Sequence, residues 1–180
     1  AQFPNGRSDI ALHLGDQNGD LLSMSASRES VWDYPRPPAV EPVSSRIRVY
    51  FAGLPIADTT GAVRVLETSH PPTYYIPKRD VETDFLEEHS KVTFCEWKGR
   101  ARYYTVKKGS KEAPAAAWEY PEPNPGYRGL RGMLSFYAGA MERCYVGEEL
   151  VDPQLGTFYG GWITSTIDGP FKGGPGTSGW

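Results

Sequence analysis

The sequence predicts a mainly β fold, built as a single compact domain. Twenty glycines and 16 prolines among 180 residues favour turns and short strands over long helices. Residues 47–51 alternate apolar side chains with Arg and Tyr, which is the period of a half-buried strand. Residues 92–97 and 101–107 have strand-like sequences and flank Lys98-Gly99, so we expect a β-hairpin that turns there.

Three segments of different composition divide the chain. Residues 1–45 have little periodic pattern, and a proline-rich path beside Trp32 and Tyr34 predicts an N-terminal extension that packs across the core as an arm. The strand-like patterns fall in residues 46–150, which we predict to be the core domain. Residues 151–180 are rich in glycine, proline and aromatic residues, and they predict a C-terminal tail that packs on the core.

Further strands and one helix are predicted within the core domain. Apolar and β-branched residues favour a strand at 63–68, Pro71-Pro72 ends it, and an extended course resumes at 74–76. One short helix is expected near residues 131–144, because apolar residues recur there at helical spacing. These residues are Leu134, Tyr137, Ala138 and Met141.

Composition argues against several classes of function. The net charge of −3 does not favour nucleic acid as the main partner, because phosphate binding requires a basic face. No apolar run reaches membrane-spanning length, so no membrane association is expected. Cys95 and Cys144 are the only cysteines and form no paired-ligand motif, so neither a metal site nor another cofactor is expected. Free thiols and a cytoplasmic location are favoured, and a disulfide between the two cysteines is the alternative.

Five motifs follow one another through the core domain. They are Arg48-Val49-Tyr50-Phe51-Ala52-Gly53, Ile56-Ala57-Asp58-Thr59, Leu66-Glu67-Thr68 with Pro72-Thr73-Tyr74-Tyr75, Cys95-Glu96-Trp97-Lys98-Gly99 and Ala117-Trp118-Glu119-Tyr120. In this order and spacing they resemble the family catalogued as domain of unknown function 427, over about residues 46–146.

That resemblance implies a β-tent fold similar to methionine sulfoxide reductase B, and the family carries a nucleotidyltransferase-like label. Relatives with this fold often hold zinc on paired cysteines, which the present chain lacks. The arm around Trp32 and the tail from Gly160 to Trp180 resemble extensions found in some bacterial members, so we expect a bacterial protein.

Aromatic residues are dense in the core domain and predict a binding pocket. Tyr74, Tyr75, Tyr104 and Trp118 lie in strand-like segments, and Arg64 lies nearby in the pattern. Aromatic walls with a few polar groups are typical of small-molecule sites, so these five residues are our candidate ligand contacts. The alternative is that each ring simply fills the core. The first hypothesis makes the protein a small-molecule-binding protein or an enzyme, with no reaction specified.

Glu67 is the polar residue that the pattern places most clearly. Val63 and Val65 are apolar and two residues apart, so they should face the core, and parity places Glu67 on the same face. A buried carboxylate requires a partner, and we expect Lys98 from the hairpin turn to be that partner. This pair in an aromatic pocket suits a general acid or base, or a clamp for a polar ligand. The alternative is a bulge before Pro71 that turns Glu67 outward.

Cys95 is a candidate nucleophile. It lies close in sequence to Lys98 and could meet His70 in space, and a thiolate requires such a neighbouring cation. A small cysteine beside an aromatic residue is more often part of a core, which is the alternative here.

Two further functions stay open at this stage. The proline-aromatic arms could form an interaction or assembly surface, and the sequence leaves a homodimer open as a partner state. A nucleotidyltransferase-like activity would need carboxylates for metal ions, and Asp80, Glu82 and Asp84 would share one face if they lay on a strand.

Overall fold

The computed structural model describes residues 27–180, so predictions about the first part of the arm lie outside the described residues. The elements of this part are short strands joined by turns. The strands are β1 (Glu29–Ser30), β2 (Ala39–Pro42), β3 (Ile47–Phe51), β4 (Leu54–Thr59), β5 (Val63–Leu66), β6 (Thr73–Pro77), β7 (Leu86–Cys95), β8 (Gly99–Lys108), β9 (Lys111–Glu119), β10 (Met133–Phe136), β11 (Arg143–Val146), β12 (Glu149–Leu150), β13 (Asp152–Pro153), β14 (Trp162–Ile163) and β15 (Ile167–Asp168). The fold is therefore mainly β, as predicted, and residues 27–180 contain no helix long and apolar enough to cross a membrane.

Seven strands form the main sheet in the order β2-β5-β6-β10-β9-β8-β7, with every neighbouring pair antiparallel. The predicted hairpin is its edge: β7 and β8 pair along their length, and Cys95 lies opposite Gly99 across the turn. Gly99 has φ of 107°, a left-handed value that other residues avoid.

One face of the main sheet packs against a second sheet of order β12-β11-β3-β4. The core between them contains residues of the second sheet such as Ile47 and Ile56, and residues of the main sheet such as Ile76, Leu134 and Phe136. All five are at most 1% exposed. Burial of such side chains is worth about 1.5–3 kcal/mol each, so this interface is the main source of stability.

The opposite face of the main sheet carries a second cluster rich in aromatic residues. Its buried members are Val65, Tyr75, Ala101, Tyr103, Trp118, Tyr120, Tyr127 and Leu130. Neighbouring residues on a strand point to opposite faces, so the strands β6, β8, β9 and β10 contribute to both clusters. No second sheet of residues 27–180 covers this face, so its rings are available to line a cavity.

The helix predicted near residues 131–144 is wrong. The segment forms strand β10, a three-residue 3₁₀ turn at Ala138–Ala140 and strand β11. Strand β10 inserts between β6 and β9, and Leu134, Ser135 and Phe136 are all fully buried. Hydrogen bonding to two neighbouring strands outweighs a helical apolar spacing, and glycines at 132 and 139 weaken the helix further.

The described part of the arm and the C-terminal tail contact each other. Strand β1 pairs in parallel with β15, while β2 pairs with β5 at the edge of the main sheet. Val31 and Tyr34 are buried, whereas Trp32 is 43% exposed and its indole nitrogen donates to the carbonyl of Pro170 at 2.9 Å. The ring of Trp32 is therefore held against the tail although it is partly exposed. The division into arm, core and tail stays a prediction.

Candidate functional site

A cavity of about 400 Å³ opens on the face of the main sheet that carries the second cluster. Its walls come from strands β5, β6 and β9, from the hairpin β7–β8 and its turn, and from the C-terminal tail. Aromatic rings supply much of the wall, namely Tyr75, Phe94, Trp97, Tyr103, Trp118, Tyr120, Tyr137, Phe158, Tyr159 and Trp180. Cavities of this size, with ring walls and a few polar groups, are typical of small-molecule sites.

Trp118 lies at the centre of the aromatic wall. Its ring centroid is 4.6 Å from that of Tyr137 and 6.3 Å from that of Tyr103, and it meets Tyr75 edge-on. Gly160 of the tail packs against the same indole, since a Cβ at this position would lie 2.2 Å from a ring carbon. Only a glycine therefore lets the tail approach Trp118 this closely.

Glu67 lies in the cavity, on the face that strand alternation predicted. Strand β5 ends at Leu66, but Glu67 still lines the same cavity as Val65. Its side chain is 23% exposed, and its carboxylate lies 3.8 Å from Nε of Arg36 in the arm. The expected ion pair with Lys98 is wrong, because the arm supplies the partner of Glu67 instead.

Lys98 is turned inward at the β7–β8 turn and is only 9% exposed. The side chain of Asn124 holds the turn by donating to the carbonyl of Trp97 at 2.9 Å, and its main-chain N–H donates to the carbonyl of Lys98 at 3.0 Å. The Lys98 ammonium lines the cavity and lies 5.8 Å from the ring centroid of Tyr120. Within residues 27–180 it forms no salt bridge, so a positive charge without a described counter-charge faces the cavity.

His70 lines the cavity in a fixed tautomer. Gln154 lies 3.2 Å from its Nδ1, and two other bonds orient the Gln154 amide. Its Oε1 accepts from the main-chain N–H of Gly161 at 3.0 Å, and its Nε2 donates to the carbonyl of Lys172 at 2.7 Å. The atom facing His70 is therefore the amide nitrogen, a donor, so Nδ1 accepts and the ring proton lies on Nε2.

The electrostatics of the cavity keep His70 neutral. Burial lowers its pKa to about 4, and the positive charges of Lys172, Arg36 and Lys98 act in the same direction. A neutral imidazole with its proton on Nε2 can donate a hydrogen bond into the cavity. It offers no free ring nitrogen with which to deprotonate the thiol of Cys95, since Nδ1 is occupied by Gln154.

Both cysteines are free in the structure, and they lie in different surroundings. Cys95 is half-buried and lines the cavity together with His70 and Lys98. Cys144 is 2% exposed in the core between the sheets, where burial raises its pKa to about 12. Of the two, only Cys95 is placed to meet a ligand in the cavity, and the predicted alternative of a disulfide is wrong.

Three of the predicted ligand contacts lie on the opposite face of the sheet. Arg64 and Tyr74 alternate with Val65 and Tyr75, so they cannot face the cavity, and Tyr104 alternates with Tyr103 in the same way. On that face Trp162 stacks on Tyr74, with ring centroids 5.1 Å apart. The hydroxyl of Tyr104 donates to Glu119. Arg64 donates to Glu41 at 2.6 Å and to Glu29 at 2.9 Å.

The acidic residues considered for metal binding do not share a strand face. Asp80 belongs to a 3₁₀ turn at Lys78–Asp80 and accepts from Thr59 at 2.7 Å, while Asp84 belongs to a second 3₁₀ turn. In the part of the chain that the structure describes, no group of three or more His, Cys, Asp or Glu side chains could hold a metal ion. The described carboxylates thus offer no two-metal arrangement.

Several cavity residues were not predicted from the sequence. Arg36 comes from the arm, and Gln154, Gly160 and Lys172 come from the tail. His70 entered the sequence analysis only as a neighbour that Cys95 could meet. Alternation on β8 shows that Tyr103 and Tyr104 face opposite sides of the sheet, but no local pattern joins the arm or the tail to strands far away in the chain.

Two comparisons with known proteins bear on identity. The family model described as "Domain of unknown function (DUF427)" matches residues 39–147, which is more than half of the chain. The chain therefore belongs to this family, as the resemblance of the five motifs indicated. A search of curated proteins finds no match.

Proposed function

We propose that this member of the family binds a small molecule in the aromatic cavity of its main sheet. The observation that carries the proposal is that one cavity of about 400 Å³ is lined both by several aromatic rings and by Lys98, a mostly buried lysine that turns inward and has no described counter-charge. Stability alone gives no reason to turn this lysine inward, because partial loss of water around an ammonium without an ion-pair partner is unfavourable. A ligand that contacts Lys98 would compensate it.

The cavity residues divide into three roles. Tyr75 and Trp118 would contact a flat, apolar part of the ligand. Lys98 and the Nε2–H of His70 would donate hydrogen bonds, and the Glu67 carboxylate would accept them. Any enzymatic reaction in this cavity would draw on the same groups, with Cys95 as the available nucleophile.

The alternative of an interaction module has less support. The aromatic residue that the arm exposes, Trp32, contacts the tail of its own chain: its ring lies 5.4 Å from that of Trp180. The arm and the tail therefore help to build the cavity, since Arg36 and Lys172 both line it. Homodimer formation stays an open option that this proposal does not require.

A thermal-shift screen against metabolites, followed by titration calorimetry, tests the proposal. A ligand present at 100 times its Kd should stabilise the native state by about 2.7 kcal/mol. Its binding should change tryptophan fluorescence, and this change should shrink in Trp118→Phe but persist in Trp32→Phe, whose ring lies outside the cavity. A ligand that binds both variants with unchanged signals would place the site elsewhere. A broad screen without any ligand would contradict the proposal.

A further inference from the structure

We infer that the ligand of this cavity is a planar, conjugated molecule carrying an oxyanion, either a carboxylate or a phosphate, which contacts the ammonium groups of Lys98 and Lys172. This inference rests on the proposed function and specifies the class of ligand.

The charges along the cavity wall do not balance. Its cations are Arg36, Lys98 and Lys172, and its carboxylates are Glu67 and Glu96. Arg36 already pairs with Glu67, and Glu96 is exposed to solvent, where water screens its charge. Among the described residues, neither Lys98 nor Lys172 therefore has an Asp or Glu side chain as a partner.

Of these two cations, Lys98 has the greater need of a hydrogen-bond acceptor. Lys98 is 9% exposed, and within the described residues no carboxylate or carbonyl accepts a hydrogen bond from its ammonium. The ring of Tyr120, 5.8 Å away, is near the limit of a cation–π contact and supplies no hydrogen bond. An ammonium has three donors, so an oxyanion is the ligand group that fits it best.

Lys172 and His70 supply further donors to the same cavity. The Lys172 ammonium donates one hydrogen bond to the main-chain oxygen of Trp180 at 2.7 Å, which leaves two of its three N–H groups available. The main-chain N–H of Lys172 donates to the carbonyl of Ser69 at 2.8 Å, which ties the tail to the residue before His70. Because Gln154 fixes the proton of His70 on Nε2, this ring also presents a donor and not an acceptor.

The aromatic wall argues for a flat ligand. Tyr75, Tyr103 and Tyr137 each lie within 4.6–6.5 Å of the ring centroid of Trp118, so the four rings form one contiguous aromatic cluster. Conjugated rings pack on such surfaces in offset or edge-on geometry, whereas a bulky aliphatic ligand gains less from them. The cation pair and the ring wall together select an aromatic or otherwise conjugated acid.

Titration calorimetry with three matched compounds tests this inference. The compounds are 2-naphthoate, 2-naphthyl phosphate and the uncharged 2-naphthamide, so that the ring stays constant while the charge changes. We expect at least one anion to bind 10-fold or more tightly than the amide, and the tighter of the two anions identifies the oxyanion. Raising NaCl from 50 to 500 mM should weaken binding of the anion several-fold but leave the amide unchanged.

Variants show which cation receives the anion. Lys98→Met and Lys172→Met should each reduce the preference for the anion to less than 3-fold, while Lys107→Met should keep it, since Lys107 pairs with Glu87 away from the cavity. If Lys98→Met does not fold, the anion preference of Lys172→Met and the salt dependence of the wild-type protein test the inference instead. Equal affinity for amide and anions in the wild-type protein overturns the inference but leaves the proposed function standing. If the metabolite screen returns only uncharged ligands, the inference is overturned; if it returns none, both fail.

Discussion

Gln154 donates a hydrogen bond to Nδ1 of His70 across 3.2 Å, although the two residues are 84 positions apart in the chain. This bond fixes the imidazole tautomer, and burial with three neighbouring cations keeps the ring uncharged. A side chain from the tail thereby sets the chemical state of a residue beside strand β6.

The first prediction concerns the pH dependence of stability. The pKa of His70 is about 4 in the folded protein and near 6.5 in the unfolded chain, so between these values only the unfolded chain binds the proton. Acidification from pH 7 towards pH 4 should therefore lower the free energy of unfolding, by up to about 3 kcal/mol from this group. Urea denaturation at a series of pH values from 4.5 to 7.5 gives the free energy of unfolding of the wild type and of His70→Gln. If this free energy changes equally with pH in both proteins, the prediction is contradicted.

Gly160→Ala should destabilise the protein and disturb the aromatic wall. The new methyl group would lie 2.2 Å from a ring carbon of Trp118, which forces a shift in the indole or the tail. Overpacking of this kind costs about 1–3 kcal/mol. Gly129→Ala is the matched control, because nothing lies within 4 Å of a Cβ there. Chemical denaturation with tryptophan fluorescence checks both, and an unaltered midpoint for Gly160→Ala would refute the close contact.

Lys98→Met should separate stability from binding. Met has a side chain of similar length to Lys but carries no charge, and the Lys98 ammonium has no described counter-charge. The substitution should therefore leave the free energy of unfolding unchanged or raise it by about 1 kcal/mol or more. The same change should remove the preference of the cavity for anions. Urea denaturation gives the first quantity and calorimetry with 2-naphthoate the second. A strongly destabilised Lys98→Met would mean that the ammonium has a structural partner.

Glu67→Gln tests the carboxylate that the sequence singled out. The Arg36 side chain is 42% exposed, so loss of this ion pair should cost about 1 kcal/mol or less. Removing a negative charge from the cavity should also leave the affinity for 2-naphthoate unchanged or increase it. A 10-fold loss of affinity would show that the carboxylate contacts the anion through a shared proton, contrary to the assigned roles.

The two thiols should react very differently in the folded protein. Cys95 is half-buried in the cavity wall, while Cys144 is 2% exposed and its pKa is raised to about 12 by burial. A chromogenic disulfide reagent at pH 8 should therefore modify one thiol in native protein and both in urea. Saturating 2-naphthoate should slow the native reaction, and Cys95→Ser should abolish it. Rapid modification of Cys144 would show that the core opens readily.

Local pattern determined the fold class and the face of one site residue. Residues 47–51 alternate apolar and polar side chains and form a strand, as predicted. The strand-like segments on either side of Gly99 form the predicted hairpin. The same parity placed Glu67 with Val65, because alternation is a covalent property of an extended chain and needs no knowledge of partners.

Alternation also shows why only part of the aromatic site was predictable. Tyr74 and Tyr75 are adjacent on β6, so a strand cannot direct both into one cavity. Which of the two faces the cavity depends on which side of the main sheet the β3-containing sheet covers, and that is decided by the packing of the two sheets. Here Tyr74 packs against the second sheet and stacks on Trp162, so Tyr75 faces the cavity.

Tertiary structure alone decided the remaining features. Residues 131–144 carry a helical spacing of apolar residues, yet strand β10 gains hydrogen bonds from two neighbours that are distant in sequence. Arg36, Gln154 and Lys172 reach the cavity from the arm and the tail. The physical reason is the range of the interactions: alternation and turns act within a few residues, whereas the charge balance of the cavity and the state of His70 are set by residues that meet only when the chain has folded.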